Sequence, residues 1–401
     1  MTLPRLEDLT GLGPGTRVLV RLDLNVPVKD GTVLDLTRAE AALPTLRWLM
    51  ARGAVIGACS HLGKANGEPD PRYSLAPVAA ALSRLLDAQV RFVDDCLDGP
   101  VEEALSLAPA GSVVLMENLR FHPGEKANDP GFANDLAAPF SHYVNDAFGT
   151  AHRAHASVEA AVALFEHGRR AAGRLMAAEL EALGRVIHDP EQPFVAVVGG
   201  AKVSTKTGPL RSMVERARTV LIGGGMANTF LLAQGHEVGR SLVEEDMVPV
   251  AREVMELAKE RGVDLVLPQD LLVTDSIDSP SRVETVSADE QVPELLAADI
   301  GPVTIERFKS VLAGARTVFW NGPMGVFEIE AFAEGTLAIA HAVADACDRG
   351  ALGVLGGGDS AAAAQRAGVV DRLTHVSTGG GAALELLSGD ILPGVDALSS
   401  R

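Results

Sequence analysis

Short apolar runs recur along the whole chain, and most of them stop at glycine or at polar residues. The segments between them carry helical patterns, and this alternation is typical of parallel sheets whose two faces are covered by helices. The pattern predicts strands at residues 17–20, 54–58, 113–116, 140–144, 194–198, 219–222, 264–267, 317–320, 352–355 and 375–377. The sequence therefore predicts the α/β class, with parallel strands in its sheets.

One helical stretch, residues 174–188, separates two runs of this pattern and ends at Asp189-Pro190. A chain of 401 residues is expected to form two or three domains, because single hydrophobic cores stop growing below that size. We interpret the stretch as a connector between domains. An ordinary crossover helix within one domain explains the same pattern equally well.

The net charge is −18, because 35 lysines and arginines face 53 aspartates and glutamates. This balance argues against general affinity for nucleic acids or anionic membranes, although a cleft can still be locally basic. The start of the chain lacks signal-peptide character, and no apolar run is long enough to span a bilayer. A cytoplasmic location is therefore expected. The acidic segment 275–299 is expected to be solvated and to have no active role.

The cysteines are few and scattered, at Cys59, Cys96 and Cys347. Each stands beside apolar residues or within a helical pattern. They are expected to be small buried residues, and their spacing matches neither a disulfide framework nor a zinc knuckle.

The segment GVLGGGDSAAAAQ, residues 353–365, joins a strand end, three glycines and the start of a helix. Glycines let backbone N–H groups approach an anion, and the N-terminus of the helix favours negative charge there. Asp359 adds an oxygen of the kind that Mg²⁺ binds beside phosphates. Similar turns at residues 198–202, 222–227 and 377–383 favour a nucleotide-phosphate site. The alternative is a tight turn in which Asp359 or Ser360 caps the helix.

Polar and basic residues follow the strands predicted in the first half, at the edge where α/β sheets bind ligands. Arginine suits phosphate and carboxylate groups, so these residues together predict a basic cleft for a small polyanion. They are Asp23, Asn25, His61, Lys64, Arg120 and Arg153, with Arg38 near a helix start. Alternatively, His152 and His155 could bind a metal with Asp146, but Arg153 between them would repel a cation.

Two lysines, Lys202 and Lys206, follow the strand at 194–198. If that segment is helical they share one face, where two ammonium groups repel each other unless an anion is nearby. Farther along, Asn321 ends a predicted strand and Glu328 follows it. The apolar residues between them are predicted either to line a slot for a flat ring or, the favoured interpretation, to pack in the core; they are Met324, Val326 and Phe327.

Many of these residues lie in segments that resemble the phosphoglycerate kinase family. The matching segments span nearly the whole chain in family order: RLDLNVP, SHLG, ENLRFHPGE, VNDAFGTAHRAHAS, GGAKVSTK, GGGMANTF, IGPVTIERF, WNGPMGVFE, GGGDSAAA, HVSTGGGAALELL and LPGVDAL. The resemblance implies two Rossmann-like three-layer αβα domains with parallel sheets, joined by a hinge helix. It assigns residues 1–170 to a phosphoglycerate-binding domain, 171–190 to the hinge helix, 191–387 to a nucleotide-binding domain, and 388–401 to a tail that packs back on the first domain.

The resemblance also implies the reaction, which is reversible transfer of a phosphoryl group from 1,3-bisphosphoglycerate to ADP, giving 3-phosphoglycerate and ATP. In-line transfer would follow hinge-bending closure, in a monomer that uses Mg²⁺ with the nucleotide and has no nucleic-acid or membrane partner. The implied phosphoglycerate ligands are Asp23, Asn25, Arg38, His61, Leu62, Gly63, Lys64, Arg120 and Arg153. The implied nucleotide ligands are Lys206, Gly301, Asn321, Glu328, Gly357, Gly358, Asp359 and Ser360, with Asp359 holding the metal. The implied catalytic residues are Arg38, Lys202, Lys206 and Gly380.

Three positions depart from the family pattern. Lys64 stands where arginine is usual, and lysine lacks the planar fork. Thr205 replaces a frequent acidic residue, and Gln269 replaces an apolar one. Competing functions are a nicotinamide dehydrogenase, which would need G-x-G-x-x-G after its first strand, and a non-catalytic nucleotide-binding scaffold.

Overall fold

The computed structural model describes residues 3–290 and 292–399. Its strands are β1 (Arg17–Leu22), β2 (Val28–Lys29), β3 (Thr32–Val33), β4 (Val55–Cys59), β5 (Val90–Val93), β6 (Val113–Met116), β7 (His142–Asp146), β8 (Arg170–Ala172), β9 (Phe194–Val198), β10 (Thr219–Ile222), β11 (Asp264–Val266), β12 (Asp270–Thr274), β13 (Val283–Ser287), β14 (Leu296–Ile300), β15 (Thr317–Asn321), β16 (Leu352–Leu355) and β17 (His375–Val376).

The helices are α1 (Thr37–Met50), α2 (Ala76–Leu86), α3 (Asp98–Ser106), α4 (Pro123–Lys126), α5 (Pro130–Ala137), α6 (Arg174–His188), α7 (Thr207–Arg216), α8 (Gly225–Gln234), α9 (Val248–Arg261), α10 (Pro302–Ala313), α11 (Glu334–Asp348), α12 (Gly358–Arg366), α13 (Gly381–Ser388) and α14 (Pro393–Ser399). Short 3-10 helices lie at Leu6–Asp8, Pro71–Tyr73, Leu119–Phe121, Phe148–Thr150, Val162–Leu164, Glu245–Met247, Glu330–Phe332 and Val370–Arg372.

The chain divides into two compact units. Unit 1 contains the residues up to Leu180 together with those from Ile391 onward, and unit 2 contains Glu181–Asp390. The division falls inside α6, the helix that the sequence predicts from residue 174 to 188. The domain limits and the hinge role expected for this region stay predictions.

Unit 1 is built on a parallel sheet in the order β5-β6-β4-β1-β7-β8. The inner strands β4, β6 and β7 are buried at every residue, as expected when both faces of a sheet are covered. From β1 the chain continues to β4 on one side, whereas from β7 it continues to β8 on the other. The gap between the carboxyl ends of β1 and β7 is therefore a switch point, where open α/β sheets bind ligands.

Unit 2 repeats this plan with a parallel sheet in the order β11-β10-β9-β15-β16-β17. Its switch point lies between β9 and β15, because β9 leads to β10 and β15 leads to β16. A smaller antiparallel sheet, β13-β12-β14, belongs to the same unit. The α/β class with parallel sheets in two Rossmann-like domains is confirmed.

The predicted strand at 140–144 is shifted in the structure, where β7 begins at His142. Phe140 belongs instead to the turn after α5, since its N–H donates to the Ala137 carbonyl. Its ring packs on Gly57 of β4, where a Cβ would lie 2.3 Å from the ring. A glycine is therefore required in the middle of β4 to admit the aromatic ring.

The acidic segment 275–299 is not simply a solvated excursion, and this expectation was wrong. It contains β13 and most of β14, which pair with β12. Asp299 is only 3 % exposed. Its Oδ2 accepts from Gly335 N at 2.6 Å and its Oδ1 accepts from Ile300 N at 2.9 Å. Burial nevertheless raises the pKa of Asp299 to about 7.

A second buried carboxyl, Asp146, gives a stability prediction. Burial raises its pKa to about 7 from 3.8, although Thr45 and the Leu175 and Met176 amides hydrogen-bond to it. The folded state therefore keeps a proton that the unfolded state releases between about pH 4 and 7, so this group makes unfolding easier as pH rises through that window. Because one pKa unit is worth about 1.4 kcal/mol, the full effect is on the order of 4 kcal/mol.

Asp146→Asn keeps an oxygen for these donors and removes the charge. We expect the free energy of unfolding, measured by urea denaturation, to fall less between pH 4 and 7 in this variant than in the wild-type chain. The exposed Asp135→Asn is the matched control and should follow the wild type. Parallel pH profiles for wild type and Asp146→Asn would contradict the prediction.

Candidate functional site

In unit 1, four neighbouring parallel strands carry polar residues just beyond their carboxyl ends. In sheet order these strands are β6, β4, β1 and β7. The segments that follow them meet at one edge of the sheet, beside the switch point. In the same order these segments carry Arg120, then His61 and Lys64, then Asp23 and Asn25, and finally Arg153.

Hydrogen bonds join three of these segments. Arg38, in the first turn of α1, donates from Nη1 to Asp23 Oδ2 at 2.8 Å. Asn25 Oδ1 accepts from Gly63 N at 2.8 Å, and Arg120 Nη1 donates to the Gly63 carbonyl at 2.9 Å. The structure therefore brings together five of the residues that the sequence singles out.

The turn after β4 has a fixed shape. Gly63 has a φ of +63°, which favours glycine, and a Cβ there would lie 2.2 Å from the Tyr73 ring, so any other residue would strain the backbone and displace that ring. Leu62 is buried, and its carbonyl accepts from Asn118 Nδ2 at 2.8 Å. Lys64 is exposed, which leaves its ammonium group free to move. Leu62 and Gly63 thus shape the edge of the site, while Lys64 reaches solvent.

His61 is held as a neutral imidazole. It is 3 % exposed, and Arg21 Nη2 lies 3.2 Å from its Nδ1. Burial holds the pKa of His61 well below its ordinary value, and the charges of Arg21, Arg120 and Arg38 lower it further. The ring can therefore exchange hydrogen bonds with a ligand without carrying charge.

Positive charge is concentrated around Arg120. Burial and the charges of Arg21 and Arg153 lower its pKa to about 10. Its Nε is buried and has no hydrogen-bond partner among the described residues. Burial and the charges of Arg120, Arg21, Arg153 and Lys126 lower the pKa of His155 to about 4. We call Arg21, Arg38, Arg120, Lys126 and Arg153 the basic cluster.

The basic cluster carries more positive charge than the nearby carboxylates balance. A bound anion would reduce the repulsion between its cations and accept a hydrogen bond from Arg120 Nε, which has no partner among the described residues. The metal site considered for Asp146, His152 and His155 is not formed in the described residues, whose ligand atoms there do not gather within 4.8 Å. Asp146 Oδ1 instead accepts from Met176 N at 3.1 Å. The arginines around the two histidines disfavour a cation.

Sequence reasoning missed Arg21 as a site residue. Its side chain is fully buried and donates from Nε to Ser157 Oγ at 2.9 Å. Ser157 in turn donates to Glu125 Oε1 at 2.7 Å. The signal was present, because Arg21 has the same alternating phase as Asp23 and Asn25. Ser157 and Glu125 have no comparable sequence signal, because only the folded structure brings them close to Arg21.

In unit 2, glycine turns follow β9, β15 and β16 around Lys206. Lys206 Nζ donates to the Asn321 carbonyl at 2.9 Å. A Cβ on Gly322 would lie 2.4 Å from this nitrogen and one on Gly200 would lie 3.3 Å away, so the side chain passes between two glycines. Burial lowers the pKa of Lys206 to about 8, while the charge of Asp359 opposes that change.

The glycine run after β16 opens a helix, as the sequence predicts. Gly357 has a φ of +90° and precedes α12, whose first residues Gly358 and Asp359 are exposed. Ser360 is buried, and its Oγ accepts from Gly322 N at 2.6 Å. No side chain caps this helix, so the alternative in which Asp359 or Ser360 is the cap is wrong. The first N–H groups of α12 are therefore left without a side-chain cap.

Gly380, with a φ of +51°, directly precedes α13, just as Gly357 directly precedes α12. Lys202 is exposed, and its carbonyl accepts from Thr205 Oγ1 at 3.2 Å. The residues from Lys202 to Lys206 are not helical, because α7 begins at Thr207. The condition under which both lysines would share a helix face is therefore not met.

A cavity of about 480 Å³ adjoins these turns. Its wall is largely apolar, and Glu328 and Asp359 lie on its lining. We call it the glycine-rich pocket. Its lining residues are Gly200, Ala201, Gly224, Gly225, Arg240, Leu242, Leu271, Ile277, Leu296, Ala297, Ala298, Asp299, Ile300, Pro323, Met324, Gly325, Val326, Glu328 and Asp359.

Five predicted residues near this pocket differ in their placement. Val326 lines it, as the slot interpretation requires, and Phe327 packs in the core of the unit. Met324, which is 1 % exposed, does both. Gly301 is not on the lining. It precedes α10, and a Cβ there would lie 2.3 Å from Asp270 Cγ, so its local requirement is close packing. Asn321 is 4 % exposed, and its Nδ2 donates to the Gly356 carbonyl at 2.6 Å.

Several known proteins are similar to this chain over nearly its whole length. The family model described as phosphoglycerate kinase matches residues 8–390. The chain is 52 % identical to a phosphoglycerate kinase of Moorella thermoacetica over 388 residues, which cover 96 % of each chain. It is 51 % identical to that of Rubrobacter xylanophilus over the same shares. The chain belongs to the phosphoglycerate kinase family.

A solved structure of a family member agrees with this assignment. The phosphoglycerate kinase of Coxiella burnetii superposes with a TM-score of 0.89 at 39 % identity, covering all of both chains. The chain therefore has the phosphoglycerate kinase fold, with its two parallel sheets. Among the described residues, no helix combines the length and apolar character needed to cross a membrane.

Proposed function

We propose that the basic cluster binds phosphoglycerate and the glycine-rich pocket binds ADP or ATP, so that the chain transfers a phosphoryl group from 1,3-bisphosphoglycerate to ADP. The observation that carries this proposal is the surplus of positive charge around the buried Arg120, whose Nε has no hydrogen-bond partner among the described residues. The substrate has a phosphate and an acyl phosphate, and its product has a phosphate and a carboxylate, so either would supply the missing anions. The activity belongs to glycolysis and is a transfer to or from a carboxyl group.

The residues of unit 1 contribute different interactions to the binding of this anion. Arg120 and Arg153 supply charge-assisted donors, and Lys64 adds a longer-range charge from its exposed position. Asn25 holds the turn that presents Gly63. His61 contributes a neutral hydrogen-bonding ring beside these cations. Because Asp23 pairs with Arg38, it fixes the guanidinium group near the reacting end of the substrate.

The residues of unit 2 position the nucleotide. The apolar wall of the glycine-rich pocket suits the flat base, and Glu328 can accept hydrogen bonds from ribose hydroxyls. The N-terminus of α12, with Gly357 and Gly358, suits the phosphates. Asn321, Ser360 and Gly301 shape the turns beneath them, and their predicted direct contacts with nucleotide stay predictions.

Phosphoryl transfer requires positioning and charge neutralisation more than covalent chemistry. Lys206 offers an ammonium group at the turn beside Asn321, and Gly380 offers the uncapped start of α13. Arg38 offers a guanidinium group from the other unit, and Lys202 adds an exposed charge. No general base is required, because the acceptor oxygen already belongs to an ionised phosphate or carboxylate. Each unit binds one substrate, so turnover must bring the two sites together, with α6 as the proposed hinge.

Asp359 fits a Mg²⁺ ion that accompanies the nucleotide. Its carboxylate is exposed on the first turn of α12, lines the pocket and receives no hydrogen bond from a described residue. Hard oxygen ligands of this kind bind Mg²⁺ together with phosphates. When bound, the ion would neutralise phosphate charge. We also propose a cytoplasmic monomer, because a complete pair of sites lies within one chain.

The test is a coupled assay of ATP formation from 1,3-bisphosphoglycerate and ADP. We expect activity in the wild-type chain and a rise in the KM for 3-phosphoglycerate in Arg120→Gln when the reaction is run in reverse. Hydrogen bonds to charged groups are worth about 1.5–3 kcal/mol, so the rise should be roughly 10- to 100-fold. Arg91→Gln, on the exposed face of β5, is the control and should keep the wild-type KM. An inactive but folded wild-type chain would refute the proposed function.

A further inference from the structure

A third group of side chains lies in unit 1 outside the two proposed sites. Asp95 and Cys96 follow β5, and His122 follows the 3-10 helix after β6. These strands are parallel neighbours, with Val93 paired to Met116 at their carboxyl ends. The pairing of these two strands therefore brings close together an oxygen, a sulfur and a nitrogen atom that can bind a metal. Their potential ligand atoms all lie within 4.8 Å of one another.

The contacts within this group already hold it in position. His122 Nε2 lies 2.9 Å from Asp95 Oδ1. The same oxygen accepts from the backbone N–H of Cys96 at 2.6 Å and of Leu97 at 3.3 Å. The His122 ring packs against Phe132 with centroids 5.5 Å apart. An ion would therefore find its ligands ordered in advance, at the cost of opening one hydrogen bond.

The cluster of Asp95, Cys96 and His122 is buried at Cys96 and open to solvent at Asp95 and His122. Cys96 is 2 % exposed, whereas the side chains of His122 and Asp95 are 31 % and 44 % exposed. A cavity of about 430 Å³ includes Asp95 and His122 in its lining and gives solvent a route to them. The exposed carboxylate of Asp94 lies on the same lining. This arrangement matches sites in which three protein ligands leave one position for water.

The mixture of donors selects the metal. Mg²⁺ and Ca²⁺ take oxygen ligands and disfavour sulfur, whereas Zn²⁺ binds cysteine, histidine and aspartate in tetrahedral sites. We propose that Asp95, Cys96 and His122 form a site for one Zn²⁺ ion, with water from the adjoining cavity as its fourth ligand. The Cys96 thiol releases its proton to solvent when the ion binds. The site is independent of Mg²⁺ at Asp359, which lies in unit 2, and does not rest on the proposed function.

The position of the site suggests what the ion does. The bound ion would link the segment after β5 to the segment after β6. A backbone hydrogen bond from Glu117 N to the Asp95 carbonyl, at 3.2 Å, already joins the same two segments. Arg120 of the basic cluster lies two residues before His122 on that second segment. A bound ion would therefore stabilise the turn that presents Arg120. Binding to the folded state alone raises stability with ion concentration.

The experiment titrates Co²⁺, as a spectroscopic substitute for Zn²⁺, into the reduced, metal-free full chain without nucleotide. We expect one equivalent to produce the visible bands of tetrahedral Co²⁺ and thiolate-to-metal charge transfer, both abolished by added Zn²⁺. Cys96→Ser should lose the charge-transfer band. Cys59→Ser, which removes the neighbouring buried thiol of β4, is the matched control and should keep it.

A second variant keeps the test decisive if Cys96→Ser does not fold. His122→Gln changes a partly exposed ligand, and loss of supporting contacts at metal sites commonly weakens affinity about 10- to 100-fold. We expect at least a loss of this size, together with loss of the rise in Tm that Zn²⁺ gives the wild type. Asp359→Asn should leave both signals unchanged. Binding without thiolate charge transfer, or with equal strength in His122→Gln and wild type, would overturn the proposal.

Discussion

Arg38→Ala is expected to lower kcat by about three orders of magnitude, which is the lower range for an arginine that stabilises a transferring phosphoryl group. Arg38 reaches the site from the first turn of α1, where Asp23 Oδ2 holds it at 2.8 Å. The residues that line the glycine-rich pocket all belong to unit 2. The KM for ADP should therefore stay close to the wild-type value while kcat falls. Steady-state kinetics with each substrate varied in turn measures the separation.

Two further variants separate the chemical role from a structural one. Arg38→Lys keeps the charge but loses the planar fork, so its kcat should lie between those of wild type and Arg38→Ala. Arg47→Ala removes an arginine from the last turn of the same helix, where it donates to the Leu85 carbonyl at 2.9 Å, and should keep wild-type kcat. Equal kcat in Arg38→Ala and wild type would remove Arg38 from the chemistry.

The parts of the fold that the sequence predicts are those with a strong local signal. Strands β6, β9, β10 and β16 and helix α6 have the predicted bounds, since each is a short apolar run or an uninterrupted helical pattern. Strand β14 was missed because it alternates weakly within an acidic segment. Its pairing with β12 and the burial of Asp299 depend on tertiary contacts that no local pattern records.

The candidate site likewise contains residues that a local sequence pattern predicts and residues that only the folded structure brings together. Asp23, Asn25 and Arg120 could be predicted because polar residues at the ends of parallel strands must gather at one sheet edge. The network of Arg21, Ser157 and Glu125 could not, because its hydrogen bonds join residues 136 and 32 positions apart. Family resemblance supplied further residue roles that stay predictions, such as nucleotide binding by Gly301, for which the structure shows close packing against Asp270.

Lys206→Met is expected to lower kcat/KM for the nucleotide by about two to three orders of magnitude, as commonly found when a positioned charge-stabilising donor is removed. The ammonium group lies between Gly200 and Gly322 and donates to the Asn321 carbonyl. Lys202→Met removes an exposed lysine four residues earlier and serves as the matched control, with a smaller expected loss.

The pKa of Lys206, lowered by burial to about 8, gives this prediction a second measurement. The free chain loses its ammonium charge above pH 8, so kcat/KM for the nucleotide should decline there in the wild type and in Lys202→Met. Between about pH 8 and 10.5 the unfolded state binds more protons than the folded state, so this group makes unfolding harder as pH rises. Lys206→Met should lack that increment in urea denaturation. If it shows the same increment and the same alkaline decline as wild type, a different group titrates and Lys206 does not supply the charge.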